Sequence, residues 1–526
     1  MSGPVPVAST LSDIYPTAAL ATEAPRWNNL VTKFEELYGH PASFVARSPG
    51  RVNIIGEHID YSLYSVLPMA ITADALFAVA ATPAAPGAET FRIRIANVEG
   101  DKFAAKDFEV PVAGDVDIDA TQFEWTNYFK SGLRGVLQLL RQKHGDGFRP
   151  VDMELLMDGN VPVGGGLSSS AAVVSASSLA VMVANGDKTV DKKELTELAI
   201  VSERAVGVNS GGMDQAASVF SEQGAALFVS FSPELSARPV KFPPTNPELC
   251  FVIVQSFVTS NKQVTGPIHY NLRVVECSMA AAYLNAVLNP AGVQLPEDAG
   301  PLGISLQGFH DTFFRHQSGS GPGAAAQTLS KEEELKKLLA VAQETLTQEE
   351  GYTREEVAAA LGVTVPELEA RFMSRLPVRA ERFKLRQRAV HVFSEALRVL
   401  GFLTLLERPV HTGASDTTAF NQQLGALLNE TQVSCRDLYE CSCAELDDIC
   451  AISRAAGAYG ARVTGAGWGG CSVHLVPADR VASVTEALEK EYFSKRELTP
   501  EQRASAVVVS RPATGSAVYY VKDSVK

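Results

Sequence analysis

The sequence predicts an α+β protein of two domains, on three observations. The chain has 526 residues, more than one hydrophobic core ordinarily supports. Segments with strand and helix patterning are interspersed without a regular strand–helix–strand alternation, which separates α+β from a doubly wound sheet. No internal repeat divides the chain into equivalent units.

Residues 1–25, rich in Pro, Ala, Ser and Thr, read as a flexible N-terminal arm. Trp27–Tyr38 carries Leu30, Val31, Phe34 and Leu37 at helical spacing, and Gly39 supplies the stop. Ser43–Val45, Ser65–Ala80 and Phe91–Val98 read as strands, with Arg92-Ile93-Arg94-Ile95 alternating cleanly. Trp125–His144 is a predicted helix, and Val151–Met157 a strand leading into a glycine-rich loop. Small helix-compatible residues follow from Ala171 to Ala184, and Lys192–Val206 is a further helix. Leu227–Phe231 and Phe251–Ser256 read as buried strands, so a first domain is expected over 26–240 and a second over 241–526. Within the second, 291–327 reads as loop and 330–400 as charged helix, together a helical insertion over about 291–400. Ser434–Tyr459 reads as helix, and Ala461–Thr464 with Cys471–Val476 as a hairpin-like pair.

A net charge of −14 argues against nucleic acid and against an anionic membrane as partner. The N-terminus has neither the basic flank nor the apolar core of a signal peptide, and no run approaches the ~18 consecutive apolar residues of a membrane span. Seven cysteines are too sparse for a disulfide scaffold, so a cytoplasmic protein with reduced thiols is expected. Cys435, Cys441, Cys443 and Cys450 match no usual zinc spacing and read as buried thiols.

Three glycine-bearing stretches carry the chemistry. In Pro162–Ala172 the glycines Gly164, Gly165 and Gly166 run through Leu167 into Ser168, Ser169, Ser170 and Ala171. Glycines let a backbone approach a ligand, and a helix opening directly after them presents free N–H groups and a positive dipole end to phosphate. The serine hydroxyls can cap the helix, bind phosphate oxygens or reach a metal ion. A serine-capped turn without a ligand is the plainer alternative. Gly50–Tyr61 packs Arg51, Glu57, His58 and Asp60 into ten residues, a set able to grip a polyhydroxylated ligand or else to form surface ion pairs. Gly211-Gly-Met-Asp-Gln215 places Asp214 at the end of a flexible turn, where it suits a general base or a simple cap, and Glu203 upstream suits a metal ligand. Gly465, Gly467 and Gly470 form a literal Gly-x-Gly-x-x-Gly, but a strand rather than a helix follows, so a tight turn between strands fits better than a dinucleotide site.

Together these motifs resemble the galactokinases of the GHMP small-molecule kinase superfamily. The resemblance extends to Trp125-Thr-Asn-Tyr128, Tyr270-Asn-Leu-Arg273 and Cys441-Ser-Cys-Ala-Glu-Leu-Asp447. Ser65-Val-Leu-Pro68, Trp468 and the long 291–400 region place it near the fungal galactokinases and the animal N-acetylgalactosamine kinases. It implies an N-terminal domain like the second domain of ribosomal protein S5, a ferredoxin-like C-terminal domain, and a cleft where ATP and sugar meet. It further implies sugar contacts from Arg51, Glu57, His58, Asp60, Gly211, Asp214, Tyr270 and Asn271. The phosphate loop from Gly164 to Ala171, with Trp125, Tyr128 and Ser260-Asn261-Lys262, would hold the nucleotide. Ser169 or its neighbour and Glu203 would hold Mg²⁺. The implied reaction is transfer from ATP to the C1 hydroxyl of D-galactose, the first committed step of galactose catabolism, with Asp214 as base and Arg51 stabilising charge. A monomer is expected. N-acetylgalactosamine kinase is the rival substrate reading. A galactose- and ATP-dependent co-inducer with a regulatory protein partner is the rival class, although such sensors lose a Ser-Ala pair that stands intact here as Ser170-Ala171.

Overall fold

The computed structural model describes residues 3–119, 124–162, 164–204, 211–259, 265–317, 329–408 and 416–521. Two sheets organise it. The larger has seven strands in the order Val7–Ala8, Ala517–Tyr520, Phe44–Ile55, Leu67–Pro83, Val151–Gly159, Thr90–Asn97 and Lys106–Pro111. Phe44–Ile55 is buried along its whole length, as suits a central strand covered on both faces. It pairs antiparallel with Leu67–Pro83, but the register shifts between Pro49 and Arg51 and again between Asn53 and Ile55. The first irregularity leaves Gly50 without a strand partner, and beside it the Arg51 backbone N–H donates to Leu167 O at 3.1 Å in the glycine loop. Helix Ser169–Ala184, which begins at that loop, packs on Phe44–Ile55 and Leu67–Pro83 and against helices Thr126–His144 and Lys192–Arg204.

The second sheet orders Gly460–Thr464, Cys471–Pro477, Leu249–Gln255 and Val507–Ser510, every pair antiparallel. Helices separate its first and second strands along the chain, and Val481–Glu491 separates the third and fourth, giving the expected ferredoxin-like arrangement. Between Leu249–Gln255 and Gly460–Thr464 runs a helical region from Tyr270–Leu288 to Ala444–Ala455. Its helix Lys331–Thr345 begins with a capping box: Ser330 Oγ accepts from Glu333 N while Glu333 accepts from Ser330 N, so the acidic run is a solvated helix start. Among the described residues, Leu385–Glu407 alone is long and apolar enough to cross a membrane by length and composition. It packs against Tyr270–Leu288, Lys331–Thr345 and Thr418–Asp437, as a core helix does.

Several expectations are corrected. The N-terminal segment is not a loose arm: Val7–Ala8 joins the large sheet, Ile14 and Tyr15 are buried, and the first helix runs from Thr17 to Tyr38. Its anchors are distant in sequence, since the Tyr15 hydroxyl donates to Asp74 Oδ2 at 2.5 Å and Trp27 Nε1 to the Tyr15 oxygen at 3.0 Å. The second domain does not keep the chain to its end, because Ala517–Tyr520 returns to the first sheet beside Phe44–Ile55. Residues 291–327 are not all loop: Leu306, Phe309 and Phe313 form the buried face of helix Leu306–Gln317. Ser434–Tyr459 is not one helix; Thr418–Asp437 stops and Ala444–Ala455 starts anew. Glu440 takes φ +53° in between, its carboxylate drawn to Lys384 Nζ at 2.5 Å and Arg388 Nη2 at 2.8 Å. The strand read over Ser43–Val45 continues to Ile55, past charged and glycine residues that look like loop in the sequence, and Lys106–Pro111 is a strand with no sequence reading.

A buried cation closes the first domain. Arg47 donates through Nε to Asp74 Oδ2 at 2.6 Å and through Nη1 to the carbonyls of Thr514 and Gly515 at 2.5 and 2.8 Å. It thereby ties the returning C-terminal segment to the central strand. Arg47→Ala is expected to cost about 3–5 kcal/mol, read as a lower urea midpoint for the first domain. An unchanged midpoint would show that the returning segment holds without it.

Candidate active site

Asp214 sits in the first turn of helix Met213–Phe220, where the helix dipole favours a carboxylate. Its Oδ1 accepts from Arg51 Nε at 2.8 Å and lies 2.7 Å from Nη2, and its Oδ2 accepts from Ser168 Oγ at 2.6 Å. Arg51 Nη1 donates in turn to Gly166 O at 2.6 Å. The charged cluster, the glycine loop and the Asp214 turn therefore meet in direct contact. Gly50 makes this possible, since a Cβ there would stand 2.8 Å from Leu167 O.

Beyond Ile55 the chain turns sharply through Gly56 (φ +103°) and His58 (φ +60°) into a short 3₁₀ turn at Asp60–Ser62. Asp60 lies against Gly211, where a Cβ would come within 2.5 Å of its Oδ2, so only glycine fits. Burial, with the Asp214 charge beside it, raises the Asp60 carboxyl to a pKa of about 6. The Tyr270 ring stands 5.7 Å from His58 and 5.6 Å from Tyr61. Burial and then the charges of Asp60, Asp214, Glu203 and Glu57 push its phenol well up, so it is a donor at working pH. Glu57 Oε2 accepts from Arg462 Nη2 and from Gly465 N, the latter at 3.1 Å. His58 Nε2 lies 3.0 Å from Ala466 O and Nδ1 2.9 Å from the Tyr61 hydroxyl. A carbonyl only accepts, so Nε2 carries the proton. Both ring nitrogens are thus committed within the protein, and His58 shapes the turn rather than presenting a free nitrogen.

On the phosphate side, Gly164 and Gly166 take φ of +74° and +72°, and Ser168 is left-handed at +59° just before helix Ser169–Ala184. The nearest atom to a Cβ on Gly164 would be Thr259 Cγ2 at 3.8 Å, so space beside the loop is open. This backbone, with the first-turn amides of Ser169, Ser170 and Ala171 behind it, fits a phosphate. Leu167 is buried beneath, and the Ser168 hydroxyl is turned to Asp214. Gly166 has a second reason to be glycine: a Cβ there would lie 2.9 Å from Thr464 O. One on Gly470 would stand 3.1 Å from the Gly165 carbonyl. The Gly465–Gly470 turn thus joins two strands, as expected, and crosses the phosphate loop.

Trp125 donates through Nε1 to Ala104 O at 3.0 Å and stands edge-on to Phe103. Burial and the nearby Glu203 raise the half-buried Tyr128 phenol. Glu203 is buried and accepts from Gln215 Nε2, which places it next to the Asp214 turn. Among the described residues no group of three or more His, Cys, Asp or Glu could hold a metal by itself. Asn271 is not brought in; its amide donates to Pro377 O at 3.4 Å in an exposed setting. Ser260, Asn261 and Lys262 lie outside the described residues. Sequence reasoning missed Arg462, Tyr439, His391 and Glu395. No motif marks them; the strand Gly460–Thr464 that carries Arg462, read from sequence only as part of a hairpin-like pair, proves buried along its length.

Comparison with known proteins agrees with this geometry. Residues 32–81 match the galactokinase galactose-binding signature, 127–222 the GHMP kinases N terminal domain, and 418–495 the GHMP kinases C terminal region. A galactokinase of Candida parapsilosis is 42% identical over 496 residues, covering 93% of this chain and 94% of that one. The chain belongs to the galactokinase family. A second member, from Saccharomyces cerevisiae, is 40% identical over 513 residues, covering 95% of each. The crystal structure of a Lactococcus lactis galactokinase complexed with galactose shares the family's fold, with TM-score 0.63, 22% identity and coverage of 93% of this chain and 99% of that one.

Within this galactokinase-family site Asp60 titrates in a usable range. Its folded-state pKa of about 6 exceeds the ordinary 3.8, so the folded chain binds this proton more tightly than the unfolded chain. The stability it contributes is full below pH 3.8 and is lost as pH rises through about 6. Asp60→Asn is therefore expected to melt above wild type at pH 8, by at most about 3 kcal/mol equivalent, with the gap closing toward pH 5. A gap independent of pH would show that Asp60 carries no such cost.

Proposed function

We propose that the chain transfers the γ-phosphoryl group of ATP to the C1 hydroxyl of D-galactose, giving α-D-galactose 1-phosphate and ADP. The observation that carries this is the Asp214 carboxylate, bonded at once to Arg51 and to the phosphate-loop Ser168. Relatives named galactokinase, about two-fifths identical over nearly the full chain, support the same reading.

The sugar lies between the acidic turn and the phosphate loop. Asp60 and Tyr270 offer an acceptor and a donor to its hydroxyls, Glu57 reaches it from beside Arg462, and the Gly211 backbone allows it close approach. Asp214 Oδ2 orients the C1 hydroxyl and receives its proton; a carboxylate oxygen has room for that donor beside Ser168. Arg51, fixed between Asp214 and Gly166 O, stands where negative charge grows on the transferring group. Trp125 and Tyr128 line the adenine end. Phosphoryl transfer asks chiefly for such positioning and charge stabilisation. The donor set fits Mg²⁺ in its usual habit of one or two protein oxygens completed by phosphates and water, and Ser169 and Glu203 would supply those oxygens. When bound, the ion neutralises phosphate charge. The acting form is proposed to be a monomer. All seven cysteines are free, which supports action in the cytoplasm.

A coupled ADP-release assay across galactose, N-acetylgalactosamine, glucose and mevalonate tests the substrate, with galactose expected to be turned over fastest. Preference for N-acetylgalactosamine would replace the substrate, and no release with any of them would leave the sensor reading. Asp214→Asn is expected to lower kcat by about 10²–10⁴-fold or more while leaving the ATP Kd within about twofold by calorimetry. A kcat near wild type would remove Asp214 from this role.

A further inference from the structure

The start of the turn that carries Glu57, His58 and Asp60 is not held by its own domain alone. The ladder between Phe44–Ile55 and Leu67–Pro83 ends at Ile55 opposite Leu67. Gly56 and Glu57, both beyond it, are buried, and buried backbone N–H groups need acceptors. Both find the same one: Glu395 Oε1 accepts from Gly56 N at 2.8 Å and from Glu57 N at 3.1 Å. One helical turn away on Leu385–Glu407, His391 Nε2 donates to Glu57 O at 2.9 Å. Two side chains four residues apart on one helix face therefore grip the peptide units of Gly56 and Glu57.

The grip is itself fixed from behind. Glu395 Oε2 accepts from Arg398 Nε at 2.8 Å and from Thr431 Oγ1 at 2.9 Å, and the side chain is fully buried. Burial opposes its charge, but Arg398 and its neighbours hold the carboxyl down at about 2, so it is ionised at any working pH. Burial also pulls the His391 imidazole down to about 3. It is neutral, donating from Nε2 to the carbonyl and accepting at Nδ1 from Ser434 Oγ at 2.8 Å. Neither protonation state changes during turnover near neutral pH, so the pair is a static clamp. The clamp matters because the turn is strained: His58 is a non-glycine residue at φ +60°, and a Cβ on Gly56 would meet Val66 at 3.0 Å and Val399 at 3.1 Å.

We propose that Glu395 and His391 are positioning residues for sugar binding: from the second domain they fix the strained Gly56–Asp60 turn and so aim its side chains at the substrate. The inference rests on the galactose reading above and extends it to residues that never touch the sugar.

The test uses the full chain. Glu395→Ala is expected to raise the galactose KM at least about tenfold, the size of a lost hydrogen bond to a charged group, and His391→Leu, which loses a neutral one, about threefold or more. The ATP KM should stay within about twofold. His391→Gln keeps an N–H for the Glu57 carbonyl and should restore most of the galactose KM. Glu395→Gln keeps one acceptor oxygen, is milder than alanine, and serves if the alanine variant fails to fold. Leu338→Ala, a cavity on the neighbouring helix Lys331–Thr345, should lower the melting temperature without moving either KM. Amide exchange across residues 56–61, measured without substrate, should quicken in Glu395→Ala and not in Leu338→Ala. Unchanged galactose KM, a parallel rise in both KM values, or an equal effect from Leu338→Ala would overturn the proposal. Wild-type chain that ignores galactose would overturn the substrate reading instead, and the exchange measurement would still decide whether the clamp orders the turn.

Discussion

The rest of the site depends on one carboxylate. Asp214 binds Arg51, 163 residues before it, and Ser168, 46 residues before it, in contacts of 2.8 and 2.6 Å. A charge-assisted contact of this kind is short and directional. It therefore sets the distance between the strand that bears Arg51 and the loop that faces phosphate. Arg51 completes the triangle by donating to Gly166 O. Sugar-side and phosphate-side groups are in this way registered to each other before any substrate arrives, which lowers the ordering cost of bringing two reactants together.

The second constraint is steric. The two domains touch through backbone where side chains would not fit. Gly166 lies against Thr464, and Gly470 against Gly165. Alongside, Asn53 N donates to Thr464 Oγ1 at 3.1 Å, while Arg462 Nη1 donates to the carbonyls of Asn53 and Ile54 at 3.1 and 2.9 Å. The strand Gly460–Thr464 is thus docked on main-chain groups at the end of Phe44–Ile55 by the Thr464 hydroxyl and one buried arginine. Glycines that a ligand alone could have explained are also required by this approach. Substituting one would displace the phosphate loop and the domain contact together.

What was legible in the sequence follows from these two constraints. Motifs whose residues are neighbours in the chain could be read: the Gly164–Ser170 loop, the Arg51–Asp60 cluster and the Asp214 turn carry their chemistry in order. Helix ends with local signals were also readable, such as Gly39, left-handed at φ +80°, and the Ser330 cap. Illegible were features fixed by side-chain contacts between segments that are separate in the chain. Tyr15 is ordered by Asp74 and Trp27, so composition alone made its segment look loose. Asn271 stands next to Tyr270 in sequence, but one step along a helix turns a side chain by about 100°, away from the site and toward Pro377. Glu395 carries no motif because its role is to accept from backbone amides, which any sequence provides.

The charge distribution then has to be reconciled with an anionic nucleotide. Asp60, Asp214 and Glu57 all act on the Tyr270 phenol, so the sugar side is crowded with acids. The cations described there are already engaged, Arg51 with Asp214 and Arg462 with Glu57. In the proposed reaction phosphate charge is then met from the other side, by loop and helix amides with their dipole. A neutral polyol resolves the conflict. Lying between the two sides, it keeps acids and phosphates apart while its hydroxyls satisfy the acids. Asp214 alone stands at the boundary, where a negative charge is both costly and needed. Arg51 is paired to it because that position would otherwise repel the group being transferred.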